Sequence, residues 1–337
     1  MKAAVFQGVN KLLTVEDIPS PDPAGPHDVV VKVGRCGICG TDLHISEDPI
    51  FVVPEGAVLG HEYSGEVMAV GAAVKTVITG DRVAVNPLAS CGHCSACRAG
   101  DFAICPEMII GGGGYGQYSL VREHQCVRLP ENVSIEDGAL VEPLAVGLRA
   151  VNLAQISKGA KVLVVGAGPI GLAVAFWAKR MGAGEIAMTA STDRRKDLAL
   201  EMGATTFVTA GDNCVEDVNK ALGAAPEIVF ECVGKSGLIQ RCIEHVAPRG
   251  TVLVSGLCTH PDTFSPFQFV TKECRLQSSI FYTLQDFHRT LDVLESGDTC
   301  AHNMITDTVS IDATPEAFEA LKQRTTQCKV LIEPWSS

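Results

Sequence analysis

The chain has 337 residues, a formal net charge of −12, 46% hydrophobic residues and 20% charged residues. This length supports two domains with separate cores, and the acidic balance argues against nucleic acid as a partner, since phosphate binding needs a basic surface. No run of 18 or more uncharged apolar residues predicts a membrane span. The start, MKAAVFQG, is typical of a strand rather than a secretion signal. We therefore expect a cytoplasmic protein whose clustered cysteines bind metal rather than form disulfides.

The first part of the chain, residues 1–148, is predicted to be mostly β. Short apolar runs at 29–33, 63–70 and 81–85 predict strands, with Gly, Pro, Asp and Ser between them. From residue 137 a helical pattern leads into a second domain.

Four cysteines in the first domain follow the spacing C-x2-C-x2-C-x7-C, namely Cys91, Cys94, Cys97 and Cys105. Four thiolates within fifteen residues can surround one tetrahedral Zn²⁺. An iron–sulfur cluster is the chemical alternative, because it also uses four cysteines. With all four ligands supplied by the chain no coordination position stays open, so the spacing predicts a structural rather than a catalytic metal.

A second candidate metal set is dispersed along the chain and consists of Cys39, His61, Glu62 and Glu142. One thiolate, one imidazole and one or two carboxylates form a mixed shell that leaves a position open, which is typical of a catalytic zinc. Each residue alone is weak support, and the ordered set is what indicates a site.

A glycine-rich turn opens the second domain. The apolar, β-branched run 162–165 predicts a buried parallel strand, and a long apolar segment at 169–181 predicts the following helix. Between them the spacing is G-x-G-x-x-G, in which the first glycine permits a sharp turn, the second lets a pyrophosphate approach and the third lets the helix pack closely. We assign dinucleotide contacts to Gly166, Gly168, Pro169, Ile170 and Gly171.

Strands and helices alternate after this turn, which predicts parallel βαβ units. The predicted strands are 185–189, 206–208, 227–230, 251–254 and 276–280. We therefore predict an α/β protein with a doubly wound dinucleotide-binding domain over 149–283. Residues 284–337 are expected to complete the first domain.

Three motifs in order carry a family resemblance. Residues 60–74 match the zinc signature G-H-E-x2-G-x5-G-x2-V without a departure, and the four-cysteine lobe and the glycine turn follow it. Over essentially its whole length the chain resembles the zinc-containing medium-chain alcohol and polyol dehydrogenases, most of all the sorbitol, threonine and butanediol dehydrogenase branch. The resemblance implies a GroES-like catalytic domain joined to a Rossmann domain.

The same resemblance implies a set of roles. A catalytic zinc held by Cys39, His61 and either Glu142 or Glu62 would polarise the oxygen of an alcohol or ketone during hydride transfer to or from a nicotinamide. Thr41 and His44 fit the family's proton relay. A small-molecule substrate and a homodimer or homotetramer are also implied.

The end of the second nucleotide-domain strand bears on the choice of cofactor. NAD-binding folds carry an acidic residue there that binds the ribose 2′-hydroxyl, whereas this chain has Ala190. The hydroxyls and guanidinium groups that follow suit a 2′-phosphate, and they belong to Ser191, Thr192, Arg194 and Arg195. We predict a preference for NADP(H) over NAD(H), in agreement with a resemblance to NADP-using ketose reductases of this family.

Further cofactor contacts are predicted where later strands end, since nucleotides bind at the carboxyl edge of such sheets. These residues are Cys232, Val233, Ser255, Gly256 and Leu257, and family analogy adds Ser279, Ile280 and Phe281. Three alternatives stay open: an NAD-dependent enzyme of the same fold, a zinc-free alkene reductase, and a non-catalytic zinc-lobe protein. The last two would be expected to lack the Cys39–His61 pair.

Overall fold

The computed structural model describes residues 1–323 and 326–336. The chain divides into two compact units, of which the first comprises Met1–Glu142 with Thr283–Ser337 and the second comprises Pro143–Tyr282. Each unit has a hydrophobic core of its own.

The first segment of unit 1 is mostly β. Its strands are β1 (Lys2–Val5), β2 (Thr14–Asp17), β3 (Asp28–Gly37), β4 (Glu62–Val70), β5 (Arg82–Val85), β6 (Leu88–Ala89), β7 (Ile109–Ile110), β8 (Tyr118–Arg122) and β9 (Cys126–Arg128). Its α-helices are α1 (Gly40–Glu47), α2 (Ser95–Arg98) and α3 (Ile135–Gly138), with 3₁₀ turns at Phe102–Ile104 and Glu123–Gln125.

Helix α4 (Val141–Ala154) begins at the end of this segment, and the remaining elements of unit 2 alternate regularly. The strands are β10 (Lys161–Val165), β11 (Glu185–Ala190), β12 (Thr206–Thr209), β13 (Ile228–Glu231), β14 (Thr251–Val254) and β15 (Arg275–Ser278). The helices are α5 (Pro169–Arg180), α6 (Lys196–Glu201), α7 (Cys214–Leu222), α8 (Leu238–His245) and α9 (Pro266–Thr271).

The second segment of unit 1 follows, with α10 (Leu284–Glu295), the 3₁₀ turn Cys300–Met304, β16 (Ile305–Ser310), α11 (Thr314–Leu321) and β17 (Lys329–Glu333). Within the described residues, one sheet of unit 1 has the order β16-β17-β3-β4-β5-β9, and β8 also pairs with β3. Strand β17 pairs antiparallel with β3, which also pairs with β4. Residues 329–333 therefore belong to the same sheet as the first residues of β4. This pairing positions Lys329 beside the metal set described below.

In unit 2, all of whose residues are described, the six strands form one parallel sheet in the order β12-β11-β10-β13-β14-β15. Because parallel strands end at the same edge, the residues that follow them share one rim. The chain crosses from one side of β10 to the other between β12 and β13, which creates the switch point where doubly wound folds bind ligands. The predicted α/β class with a parallel sheet is confirmed.

The glycine turn is built into the centre of this sheet. Residues 162–164 are fully buried, and so are most of the side chains on α5 from Leu172 to Ala178, where a buried aliphatic side chain contributes about 1.5–3 kcal/mol. The indole N–H of Trp177 donates to the carbonyl of Leu144 at 2.8 Å, which ties α5 to α4. Among the described residues, no helix has both the length and the apolar character of a membrane span.

Candidate metal centres and dinucleotide site

Helix α1 positions the first candidate metal ligand. Cys39 is its N-cap, and the Cys39 Sγ accepts a hydrogen bond from the backbone N–H of Thr41 at 3.4 Å. Asp42, at the third helical position, accepts from the backbone N–H of Cys39 at 3.4 Å. This reciprocal capping arrangement fixes the thiol at a helix start, where the helix dipole favours negative charge.

Strand β4 supplies the next two candidate ligands. Gly37 of β3 pairs with Glu62, the first residue of β4, and this pairing brings the Cys39 turn beside His61. The ligand atoms of Cys39, His61 and Glu62 all lie within 4.8 Å of one another. Thiolate, imidazole and carboxylate at this separation are a donor set that fits Zn²⁺.

A buried hydrogen-bonded chain orients His61. Asp42 Oδ1 lies 3.3 Å from His61 Nδ1, and the hydroxyl of Tyr115 donates to Asp42 Oδ2 at 2.7 Å. Burial alone would lower the pKa of His61, but the Asp42 carboxylate and Cys39 raise it well above its ordinary value. Burial would raise the pKa of Asp42, but His61 and Tyr115 lower it. Asp42 therefore stays ionised and holds the imidazole through Nδ1.

Glu62 has a second partner inside the protein. Its Oε2 forms an ion pair with Lys329 Nζ, and both side chains are 1% exposed. Lys329 Nζ also donates to the carbonyl of Ile38 at 3.3 Å. Opposite charge is the reason that this buried lysine is tolerated, and Glu62 raises its pKa although burial alone would lower it.

The other predicted catalytic residues lie in the same unit. Thr41 and His44 are three residues apart on α1 and hence on one helix face. Glu142, 7% exposed, lies in the first turn of α4. Among the described residues, the group within 4.8 Å does not include Glu142.

The four-cysteine lobe forms a second cluster. The ligand atoms of Cys91, Cys94, Cys97 and Cys105 lie within 4.8 Å of one another. Cys94 caps the short helix α2 and its Sγ accepts from the backbone N–H of Cys97 at 3.4 Å. Backbone N–H groups of His93 and Cys94 lower the pKa of Cys91 to about 6, which favours the thiolate form that binds metal. Four converging thiols fit one tetrahedral Zn²⁺.

The glycine turn of unit 2 has the shape that a pyrophosphate needs. Gly166 has a φ of +110°, and a Cβ at Gly171 would lie 1.9 Å from the carbonyl oxygen of Gly166, so a side chain is excluded there. Gly168 is the N-cap of α5, and nothing lies within 4 Å of a Cβ placed on it. Open space before a helix N-terminus suits a phosphate.

The end of β11 lies beside this turn. Val165 of β10 pairs with Thr189 of β11, so Gly166 and Ala190 are neighbours at the same edge of the sheet. Arg195 Nη1 donates to the carbonyl of Ala167 at 3.0 Å, which ties Arg195 to the glycine turn. Ser191 and Arg194 are exposed in the same loop.

At two neighbouring strand ends, serine hydroxyls lack a hydrogen-bond partner among the residues that the structure describes. Ser255 follows β14, Ser279 follows β15, and the Oγ atoms of both are buried without a hydrogen bond to any described residue. Orphaned polar atoms along a ligand edge are what a bound polar group would satisfy. The predicted residues Cys232 and Val233 follow β13 at this same edge.

Sequence reasoning missed Asp42, Tyr115 and Lys329 as parts of these sites. The C-x-x-D capping pattern at 39–42 was a usable local signal for Asp42. No local signal exists for Tyr115 or Lys329, because they lie 73 and 267 residues from the carboxylates that they contact.

With this fold and these sites, the chain belongs to the zinc-containing medium-chain alcohol and polyol dehydrogenases. Residues 25–131 match the alcohol dehydrogenase GroES-like domain, and residues 169–296 match the zinc-binding dehydrogenase family. It is an oxidoreductase of this family, as the resemblance implied.

Particular relatives are polyol and ketose enzymes. The D-xylulose reductases A of Aspergillus oryzae and Aspergillus niger are each 32% identical to it, over 94% of this chain and 92% of theirs. The solved structure of 2R,3R-butanediol dehydrogenase from Bacillus subtilis superposes with a TM-score of 0.89 at 30% identity, covering 99% of both chains. The solved structure of a zinc-binding dehydrogenase from Sinorhizobium meliloti, bound to NADP, superposes with a TM-score of 0.88 at 31% identity and also covers 99% of both chains.

Proposed function

We propose that this protein interconverts a secondary alcohol of a polyol and the corresponding ketone, with NADP(H) as the hydride carrier. The observation that carries the proposal is the convergence of Cys39, His61 and Glu62 within 4.8 Å in unit 1. The polyol and ketose substrates named for the relatives support this substrate class.

The residues of the chain have distinct tasks in this proposal. Zinc, when bound, supplies a Lewis acid for the substrate oxygen, worth several kcal/mol in such reactions. Asp42 engages His61 Nδ1, which leaves Nε2 as the nitrogen available to the metal. Thr41 and His44, on one face of α1, are proposed to pass the proton between substrate and solvent.

NADP(H) is proposed because Ala190 replaces a carboxylate at the end of β11. A carboxylate about 4 Å from a phosphate charge would cost about 4 kcal/mol at an effective dielectric constant of 20. The NADP bound in the Sinorhizobium relative supports the same preference. NAD-dependent activity is the second candidate, and the Gly166–Gly171 turn would serve it equally.

The experiment that tests the proposal follows NADPH and NADH absorbance at 340 nm with a panel of ketoses, diketones, simple ketones and aldehydes, and the reverse reaction with polyols. We expect turnover of a ketose or hydroxyketone with NADPH. Binding of dinucleotide without turnover of any carbonyl compound would instead favour a non-catalytic protein. Turnover restricted to activated alkenes would favour the alkene reductase alternative.

Glu62 rather than Glu142 is proposed as the third ligand of the catalytic metal, because Glu62 belongs to the group of converging atoms. We expect Glu62→Gln to lower the zinc content by one ion per chain after dialysis, and Glu142→Gln to retain it. Mass spectrometry of the metal measures both. The opposite result would assign the ligand role to Glu142. Because Glu62→Gln also removes the ion pair with Lys329, the melting temperature of each variant is measured to detect a general loss of stability.

The four-cysteine lobe is proposed to hold a structural zinc. We expect Cys97→Ser to lose one zinc per chain and melt at a lower temperature, since structural zinc contributes on the order of 10 kcal/mol in small zinc peptides. Cys126→Ser, a buried cysteine outside the lobe, is the control for loss of a thiol. Unchanged stability with lost turnover would contradict the structural assignment.

A homodimer or homotetramer is also proposed. Strand β15 forms the edge of the unit 2 sheet and all four of its residues are exposed, with Phe267, Val270 and Ile280 exposed as well. An unpaired edge with apolar neighbours is a ready template for another strand. Light scattering should give a mass above the 35.6 kDa of one chain, whereas a monomer would contradict the proposal.

A further inference from the structure

A buried carboxylate ends the central strand β13. Glu231 is the last residue of that strand and is 2% exposed. Its Oε1 accepts the backbone N–H of Val233 at 2.8 Å and that of Gly234 at 2.9 Å. One oxygen thus fixes the turn that follows β13, and hydrogen bonds to a charged acceptor are the stronger kind.

The neighbouring loop is held by the same residue. The backbone N–H groups of Ser255 and Gly256 donate to the carbonyl oxygen of Glu231 at 2.8 and 2.9 Å. A Cβ on Gly256 would lie 2.3 Å from Glu231 Oε2, so the loop after β14 packs directly on the carboxylate. Glu231 therefore holds loop 232–234 through its carboxylate and loop 255–257 through its main-chain carbonyl, with Oε2 packed against Gly256.

This arrangement limits the hydrogen-bond donors that the two loops can offer a ligand. Four backbone N–H groups that could bind phosphate, those of Val233, Gly234, Ser255 and Gly256, point to Glu231 instead. The negative charge of Glu231 further disfavours phosphate there. The Ser255 hydroxyl, which has no internal partner among the described residues, is left for a ligand. Phosphate binding then falls to the glycine turn.

We infer that Glu231 is a positioning residue, which shapes both loops for the half of the dinucleotide that lies beyond the pyrophosphate without itself touching it. The inference rests on the proposed function, because it requires the rim of the sheet to bind a dinucleotide. Its consequence is a graded loss of affinity. NADPH needs both loops, whereas a fragment that ends at the glycine turn depends only on loop 232–234, which packs on Gly166.

The experiment compares two ligands on three variants by fluorescence or calorimetric titration. We expect Glu231→Ala to weaken NADPH at least about tenfold, as loss of charge-assisted hydrogen bonds implies, and to weaken adenosine 2′,5′-diphosphate clearly less. Glu231→Gln keeps an acceptor oxygen and should restore NADPH affinity to within about threefold. Glu227→Ala is the matched control, since Glu227 Oε1 accepts the N–H of Lys161 at the opposite end of the sheet; it should change neither affinity.

Four results separate the possibilities. NADPH affinity unchanged in Glu231→Ala, or weakened equally in the alanine and glutamine variants, would overturn the positioning role. Equal weakening of NADPH and of the diphosphate fragment would also overturn it, because the whole loss would then lie at the glycine turn rather than along both loops. Failure of the unmodified protein to bind either NADPH or NADH would overturn the proposed function itself. Zinc content and melting temperature should stay unchanged in Glu231→Gln.

Discussion

Replacing His61 with alanine is expected to abolish turnover and to leave dinucleotide binding nearly intact. His61 is one of three converging donors in unit 1, whereas the glycine turn and the strand ends belong to unit 2. Lewis-acid stabilisation is worth several kcal/mol, so its loss lowers kcat roughly a thousandfold or more. The measurements are kcat with the best substrate, metal content and NADPH titration on the same preparation.

Two further variants make the result specific. His27→Ala removes an exposed histidine that pairs with Glu123 at 3.3 Å, and the loss of such a surface pair should leave kcat unchanged. Asp42→Asn keeps the size of the side chain but weakens its hold on His61, and such supporting residues typically change metal affinity by about 10–100-fold. Full activity in His61→Ala would exclude the zinc mechanism.

Much of the fold was predictable because its signals are local. The β-branched run 162–165 and the alternation of strands and helices predicted the parallel strands of unit 2, and each observed bound differs from the predicted one by two residues or fewer. The family, the fold class and the enzyme class were predictable from three motifs in order. The helical pattern after residue 137 was less accurate, since the structure ends α3 at Gly138 and begins α4 at Val141.

The supporting partners of the sites were not predictable, because they depend on pairing between distant strands. Lys329 reaches Glu62 through the pairing of β17 with β3, which no local periodicity reveals. The N–H groups of Gly113 and Gly114 likewise donate to the carbonyls of Val58 and Gly60 at 2.9 and 3.0 Å, and no local pattern reveals these contacts between distant segments. These glycines permit close backbone packing.

Replacing Ala190 with aspartate is expected to reverse the cofactor preference from NADPH to NADH. Ala190 ends β11 beside the glycine turn, so a carboxylate there would accept a ribose hydroxyl and repel a 2′-phosphate. Repulsion of about 4 kcal/mol corresponds to nearly three powers of ten in affinity. The measurement is kcat/KM for both cofactors with one substrate, at fixed low ionic strength because salt screens phosphate contacts.

Ala190→Asn is the matched control, because it adds the same volume and a hydrogen-bond acceptor without the charge. It should lower the preference for NADPH far less than Ala190→Asp, since charge repulsion is the larger effect. Arg195→Ala should weaken NADPH about 10–100-fold if this guanidinium binds the phosphate. Arg195 also donates to the carbonyl of Ala167 in the glycine turn. If Arg195→Ala weakens NADH as much as it weakens NADPH, the loss of affinity reports this structural contact rather than a contact with the 2′-phosphate. A preference for NADH in the unmodified enzyme would mean that the loop after β11 does not bind a 2′-phosphate, and that Arg195 serves the glycine turn alone.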